Sequence, residues 1–371
     1  MTGQNIVGIV FSNAYDECLP ELTGLRTMGS VPFAGRYRLI DFALSNMVNA
    51  DIEKVGVITK SNYQSLMDHL GTGKPWDLSR KTEGMFLLPP FSTVEQGSNV
   101  DKIASLKGAM GFISRSNEEY VLFADCNTVF NADVRDFMAF HTEKDADITI
   151  LYKHGNSPAL HDAMIMDVEE DGRVSKVSFA PSGAENVNYS LNMILMKKSL
   201  LERLMNEAIS QNLTDFEADI IQKNTDRLKI YGLEFKDFAV TIDSMASYFK
   251  ANMSLLEPEN CLNLFNAERP VYTKLKDDMP ATYGIGSDVK NSLVANGCII
   301  EGEVENSIIF RGVRIEKGAI VKNSIVMQDT YIAQNSIINC VIADKNVVVT
   351  PNKTLSGVEN YPVYIGKGIV I

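Results

Sequence analysis

Asn306-Ser-Ile-Ile-Phe-Arg-Gly-Val-Arg-Ile-Glu-Lys-Gly-Ala-Ile-Val-Lys-Asn323-Ser-Ile-Val-Met-Gln-Asp-Thr-Tyr-Ile-Ala-Gln-Asn335-Ser-Ile-Ile338 is the stretch whose reading decides the fold. Helical spacing is absent from it, and short polar turns separate pairs of aliphatic residues. Those residues recur six apart, at Ile309, Ile315 and Val321 and again at Val326, Ile332 and Ile338. An Asn-Ser-aliphatic motif also repeats, at Asn291-Ser-Leu293, Asn306-Ser-Ile308, Asn323-Ser-Ile325 and Asn335-Ser-Ile337. A six-residue aliphatic period predicts a parallel β-helix whose coils stack their corners on one another. A β-sandwich would space its strands about 8–12 residues apart. The β-helix is therefore expected over residues 288–371, with coil limits left open where the period breaks.

Working outward, residues 257–287 carry Pro258, Pro270 and Pro280 with little periodicity and read as a linker. Residues 1–256 have a different pattern. Ile6–Phe11, Val55–Ile58, Tyr120–Phe123 and Ile148–Tyr152 are short, continuous apolar runs, as expected of strands buried on both faces of a mainly parallel sheet. Amphipathic stretches at Leu39–Val48 and Ile103–Ile113 lie between them, and a helix is expected near Met245–Leu256. Strands alternating with helices predict a layered α/β domain.

A net charge of −12 lacks the basic stripe that nucleic-acid binding requires. No stretch approaches the roughly 18 apolar residues of a membrane span, and Met1–Glu17 has neither a basic n-region nor an h-region. Cys18, Cys126, Cys261, Cys298 and Cys340 are scattered, with no CxxC pair. That usage suits free thiols in a reducing cytoplasm rather than a zinc site or a disulfide framework.

The run Ser30-Val-Pro-Phe-Ala-Gly-Arg-Tyr-Arg-Leu-Ile-Asp-Phe-Ala-Leu-Ser-Asn-Met-Val-Asn49 resembles the ADP-glucose pyrophosphorylases of glycogen and starch synthesis. Gly71–Leu78, Asp215–Ile221 and Thr241–Ser244 leading into Tyr248–Leu256 are similar to the same family. The resemblance implies a Rossmann-like, GT-A-like nucleotidyltransferase domain over residues 1–256, followed by a left-handed β-helix. It also implies adenylyl transfer, in which glucose 1-phosphate attacks the α-phosphorus of ATP. That chemistry needs glycines near the triphosphate, cations for developing charge and carboxylates for magnesium.

Compared part by part, the sequence departs from that pattern. The family's Gly-Gly-x-Gly-x-Arg-Leu element falls on Asn13-Ala14-Tyr15-Asp16-Glu17-Cys18-Leu19. No glycine remains there, and two acids stand where a triphosphate would lie. The Lys-Pro ahead of Ser30 becomes Met28-Gly29, and the sugar-phosphate lysine matches Ala180. Of two metal carboxylates, Asp125 is kept and the other matches Phe238. Ser190, Asp215 and Asp219 remain at positions of the sugar pocket, although Asp215 also reads as a helix N-cap. Arg26, Arg36 and Arg38 are candidates for an anionic effector site or a subunit contact, or are ordinary surface arginines.

The resulting expectation is a non-catalytic, regulatory subunit with no cofactor of its own. Its partner is a catalytic, Mg2+-using pyrophosphorylase subunit in a heterotetramer, and self-association through the same surfaces is compatible with this. Three rivals are an active nucleotidyltransferase with a rearranged site, a hexapeptide acyltransferase and a stand-alone effector-binding protein. The first would need a new phosphate loop; Gly71-Thr-Gly-Lys74 lacks the required spacing. The second would use a histidine between coils, but His69, His141, His154 and His161 all precede the β-helix.

Overall fold

The computed structural model describes residues 2–89, 102–159, 163–180 and 183–371. Ile6–Phe11 is buried along its whole length, paired in parallel with Lys54–Ile58 on one side and Tyr120–Asp125 on the other. Its side chains alternate between two cores: Ile6 and Val10 face one layer, Val7, Ile9 and Phe11 the other. That is why the run is apolar without a break. Gly84–Leu88 extends the parallel set beyond Lys54–Ile58. Val187–Lys197 joins Tyr120–Asp125 antiparallel and also pairs with Ile148–Gly155 and with Ala163–Val168, which Val174–Ala180 joins.

The helix Leu39–Val48 is buried nearly all round, because the sheet lies on one side and later elements of the chain cover the other. Its first turn is fixed by Asp41, whose Oδ2 accepts the Arg38 N–H at 3.0 Å while Oδ1 meets His69 Nε2 at 2.5 Å. Lys102–Ser114 and Met245–Met253 are the other two helices expected from sequence.

The C-terminal part is a left-handed β-helix of three five-stranded parallel sheets. Vertical neighbours such as Ile308, Ile325 and Ile342 are 17 residues apart, one short of three hexapeptides. The missing residue is at one corner. Asn291, Asn306, Asn323 and Cys340 turn the chain there in the left-handed region (φ 41, 46, 44 and 52°), which asparagine tolerates better than most residues. This is the physical source of the broken period. The asparagines also form a ladder from Asn291 to Asn306 (2.8 Å) and onward to Asn323 and Asn339, while Ser292, Ser307 and Ser324 each accept an N–H from the next coil. Asn335 belongs to a different corner, so the fourth copy of the motif is not in register with the other three.

Two boundaries differ from the sequence reading. Pro258–Leu264 is a helix, with proline at its first position, and Thr282–Tyr283 already pairs with Ile299–Ile300 as a β-helix strand. The stretch read as a linker thus contributes structure at both ends. Its middle is strapped to the α/β domain by Asn49 Nδ2 on the Pro270 carbonyl (3.1 Å) and by the Tyr272 N–H on Ser45 Oγ (2.9 Å).

The two domains share one core. On one β-helix face, Ile309, Val326 and Ala343 point into the coil, while Ile308, Ile325 and Ile342 point outward and join the core of Phe33, Leu22 and Tyr248. Gly35, at φ 79°, turns the chain against that face, and a β-carbon there would lie 3.7 Å from the Ile309 carbonyl oxygen. Beside this apolar strip, the Arg26 guanidinium forks onto Asp344 at 3.0 and 2.7 Å, with side chains 4% and 2% exposed. Tyr364 Oη donates to the Glu21 carbonyl (2.8 Å) and lies 3.1 Å from Asp344 Oδ2.

Arg26→Ala leaves a buried carboxylate without its cation, at a cost of roughly 3–5 kcal/mol. Tyr364→Phe is expected to cost about 1 kcal/mol. Thermal melts of the two variants should therefore separate clearly, and equal Tm values would show that losing the ion pair costs no more than losing the Tyr364 hydroxyl.

Candidate functional site

The Asn13–Leu19 loop leaves the first strand at Ser12 and folds its polar groups inward. Asn13 is buried; its Oδ1 accepts the Lys60 N–H (2.8 Å) and its Nδ2 donates to Asp16 Oδ2 (2.6 Å) and the Ser61 carbonyl (3.2 Å). Asp16 Oδ1 accepts the Met28 N–H at 2.6 Å, and the Asp16 carbonyl accepts the Thr23 hydroxyl at 2.6 Å. Burial pushes the Asp16 carboxyl up to about 6, against the two hydrogen bonds that favour its ionised form. Ala14 is buried, Tyr15 holds a left-handed φ of 65°, and only Glu17 is exposed. Cys18 is half-buried, and burial, then Asp243, push its thiol up to about 11. A phosphate cradle presents backbone N–H groups outward; here the Asp16, Cys18 and Leu19 N–H groups turn back onto the carbonyls of Asn13, Tyr15 and Asp16.

Asp125 ends the strand Tyr120–Asp125 beside this loop, and it is not free. Lys102, the first residue of Lys102–Ser114, donates Nζ to Asp125 Oδ2 at 2.8 Å and to Glu217 Oε1 at 2.5 Å. The same nitrogen lies 5.4 Å from the Phe11 ring centroid and 5.8 Å from that of Tyr15. Burial raises Asp125 to about 6 despite Lys102. For Lys102, burial works against the charge, but Asp125 and Glu217 outweigh it and hold the ammonium well above its ordinary range. Burial likewise pushes the Tyr15 phenol upward, so this ring stays neutral.

The other expected pocket residues do local work. Asp215 is an N-cap, accepting the Ala218 N–H at 2.8 Å ahead of the turn Phe216–Ile221. Asp219 accepts the N–H groups of Thr214 and Asp215 and pairs with Lys223 at 2.7 Å. Ser190 accepts the Asn192 N–H at 3.0 Å where the strand register shifts. The residue of this segment that reaches Asp125 is Glu217, between the two aspartates. Neither Lys102 nor Glu217 stood out in the sequence, because each reads as an ordinary charged helix residue.

The register around Phe238 also differs from the expectation. Ala239–Thr241 pairs with Thr128–Phe130, with Thr241 opposite Thr128, and the Ile242 N–H bonds the Asn127 carbonyl. The segment therefore approaches Asp125 at Thr241–Asp243, while Phe238 lies toward the far end and packs on the core. The change at Phe238 is not what alters the cleft. Asp243 lies nearer, and its carboxylate accepts the Ala159 N–H (2.5 Å) and the Ser244 hydroxyl (3.0 Å). Among the described residues, no group of three or more His, Cys, Asp or Glu side chains is arranged to hold a metal ion. Residues 181–182, next to the expected Ala180 position, and His161 lie outside the described residues.

The three arginines divide. Arg26 is buried in the domain interface and is no surface residue. Arg36 is exposed and Arg38 half-buried, and both line a cavity of 160 Å³ between the domains. Lys274, Lys276, Arg311 and Lys345 complete its basic lining, against Asp68 and Asp329. His69 also faces it, and burial depresses its pKa although Asp41 opposes this.

Comparison with known proteins agrees with this architecture. The nucleotidyl transferase family matches residues 18–257, and the GlmU-like C-terminal hexapeptide family matches residues 280–360. The glycogen biosynthesis protein GlgD of Bacillus subtilis (strain 168) is 34% identical over 370 residues, covering 100% of this chain and 98% of that protein. GlgD of Geobacillus stearothermophilus is 37% identical over 317 residues, 85% of this chain and 82% of that one. The glucose-1-phosphate adenylyltransferase of Clostridium perfringens (strain SM101 / Type A) is 32% identical over 341 residues, 90% and 87% respectively.

If Asp16 holds the loop shut, Asp16→Ala orphans the Met28 N–H and removes one of the two bonds that the Asn13 amide donates, at a cost of roughly 1–3 kcal/mol. A lower Tm with faster hydrogen exchange at Met28 is the expected outcome; unchanged exchange would mean that other contacts set the loop.

Proposed function

The chain belongs to the ADP-glucose pyrophosphorylase (glucose-1-phosphate adenylyltransferase) family of nucleotidyl transferases, and from that premise we propose that it serves glycogen synthesis as a catalytically silent, regulatory subunit. Its partner in this reading is a catalytic glucose-1-phosphate adenylyltransferase that uses Mg2+, and the assembly is a two-plus-two heterotetramer. The observation that carries the reading is the inward closure of Asn13–Leu19, where Asn13 and Asp16 accept the Lys60 and Met28 N–H groups and the Asp16, Cys18 and Leu19 N–H groups bond carbonyls of the loop itself.

The basic cavity between the domains supports a regulatory role. Six cationic side chains face two aspartates, a balance suited to a phosphate-bearing metabolite. Gln328 Oε1, buried and without a partner among the described groups, is an acceptor for a hydroxyl of such a ligand. Lys345 in the cavity directly follows Asp344 of the interdomain ion pair, so a ligand drawing on Lys345 bears on domain docking. A coupling of about 1–3 kcal/mol is enough to shift an allosteric equilibrium.

Pyrophosphate release from ATP and glucose 1-phosphate tests the proposal, with the chain alone and then mixed with the catalytic enzyme of its organism. Silence alone with a raised kcat or lowered KM in the mixture is expected. Robust turnover by the isolated chain would refute the reading.

A pH dependence follows for the cavity. Burial, then Arg38 and Arg26, push Lys345 down to about 7. An anion favours the charged lysine, so binding takes up a proton above that pH, and affinity should fall by up to about tenfold per unit. Sulfate, which does not titrate in this range, is a suitable probe. Its affinity should weaken from about pH 6.5 to about pH 8 and lose that slope in Lys345→Met; a flat profile in the parent chain would exclude Lys345 from the site.

A further inference from the structure

We infer that the Lys102 ammonium is a built-in replacement for a divalent cation, so that this cleft is completed by its own side chains and takes no metal. Asp125 and Glu217 come from different parts of the chain, yet their oxygens converge on one nitrogen at 2.8 and 2.5 Å. The side chains of Lys102 and Asp125 are 9% and 1% exposed, and that of Glu217 is 15% exposed. Two carboxylates meeting at one buried point repel each other unless a cation lies between them. In a metal site that cation is the ion itself, with carboxylate oxygens at about 2.0–2.6 Å. Here the point is taken by Nζ, and the Phe11 and Tyr15 rings close over it. Ammonium and metal cannot occupy it together.

The local structure holds the lysine there. Lys102 is held by the helix Lys102–Ser114, and Glu217 sits in a turn fixed by the Asp215 cap. The donor set thus does not fit the magnesium that adenylyl transfer requires, because the retained aspartate is already paired. The three side chains all lie in the cleft of this chain, and their pairing needs no partner subunit.

Manganese binding to the full chain without nucleotide, followed by the electron paramagnetic resonance of free Mn2+ and by thermal melts, tests it. The parent chain should show no stoichiometric site at millimolar Mn2+ and no change in Tm. Lys102→Ala leaves the two carboxylates facing each other, so its Tm should fall by roughly 5–10 °C. Mn2+ should then restore several degrees by binding the folded state, and adding Asp125→Asn should abolish that recovery. Lys102→Arg, which keeps a cation, should remain indifferent to Mn2+. A stoichiometric Mn2+ site in the parent that Asp125→Asn removes would overturn the inference, as would a Lys102→Ala chain that Mn2+ does not stabilise. Should Lys102→Ala not fold, Lys102→Gln takes its place, and the parent titration still decides.

Discussion

A charge taken out of water must meet a partner, and two such pairings organise this protein. At the domain boundary, Arg26 and Asp344 form a two-point ion pair beside the strip of Ile308, Ile325 and Ile342. Apolar burial supplies the attraction between the domains, whereas the ion pair sets their register, because a shift of either domain would strand a buried charge. In the cleft, Lys102 does the same for Asp125 and Glu217. The first pairing makes the β-helix part of the α/β domain's core. The second ties the strand end at Asp125 to the helix Lys102–Ser114 and to the turn Phe216–Ile221.

Much of the fold was legible because burial leaves periodic traces. Ile6–Phe11 was readable as a strand since both its faces are covered, and Leu39–Val48 matched the observed helix end to end. The β-helix was visible in its six-residue steps, and its irregularity came from a one-residue saving at the Asn-Ser corner, where φ is positive. The start of the β-helix was less legible, because Thr282 and Tyr283 are exposed and carry no aliphatic signal.

The site was legible in what it lacks and obscure in what replaces it. Missing glycines at Asn13–Leu19 could be read directly, since glycine has no substitute where backbone must approach a ligand. The inward bonds of Asn13 and Asp16 could not, because they depend on Met28, Lys60 and Ser61 folding alongside. Lys102 and Glu217 are 115 residues apart and meet only in the folded chain. Phe238 shows the converse error: a one-dimensional match put it opposite Asp125, while strand pairing brings Thr241–Asp243 there instead. Arg26, Arg36 and Arg38, neighbours in sequence, separate into one buried structural residue and two that line a basic cavity.

The central claim is that this cleft no longer handles nucleotide. Calorimetric titration of the purified chain with MgATP tests it most directly. With saturating sulfate present to occupy the basic cavity between the domains, the account predicts no saturable heat up to millimolar nucleotide, with the chain folded throughout. Stoichiometric binding at micromolar MgATP would contradict it, and would mean that Asn13–Leu19 opens and Lys102 releases Asp125 when nucleotide arrives.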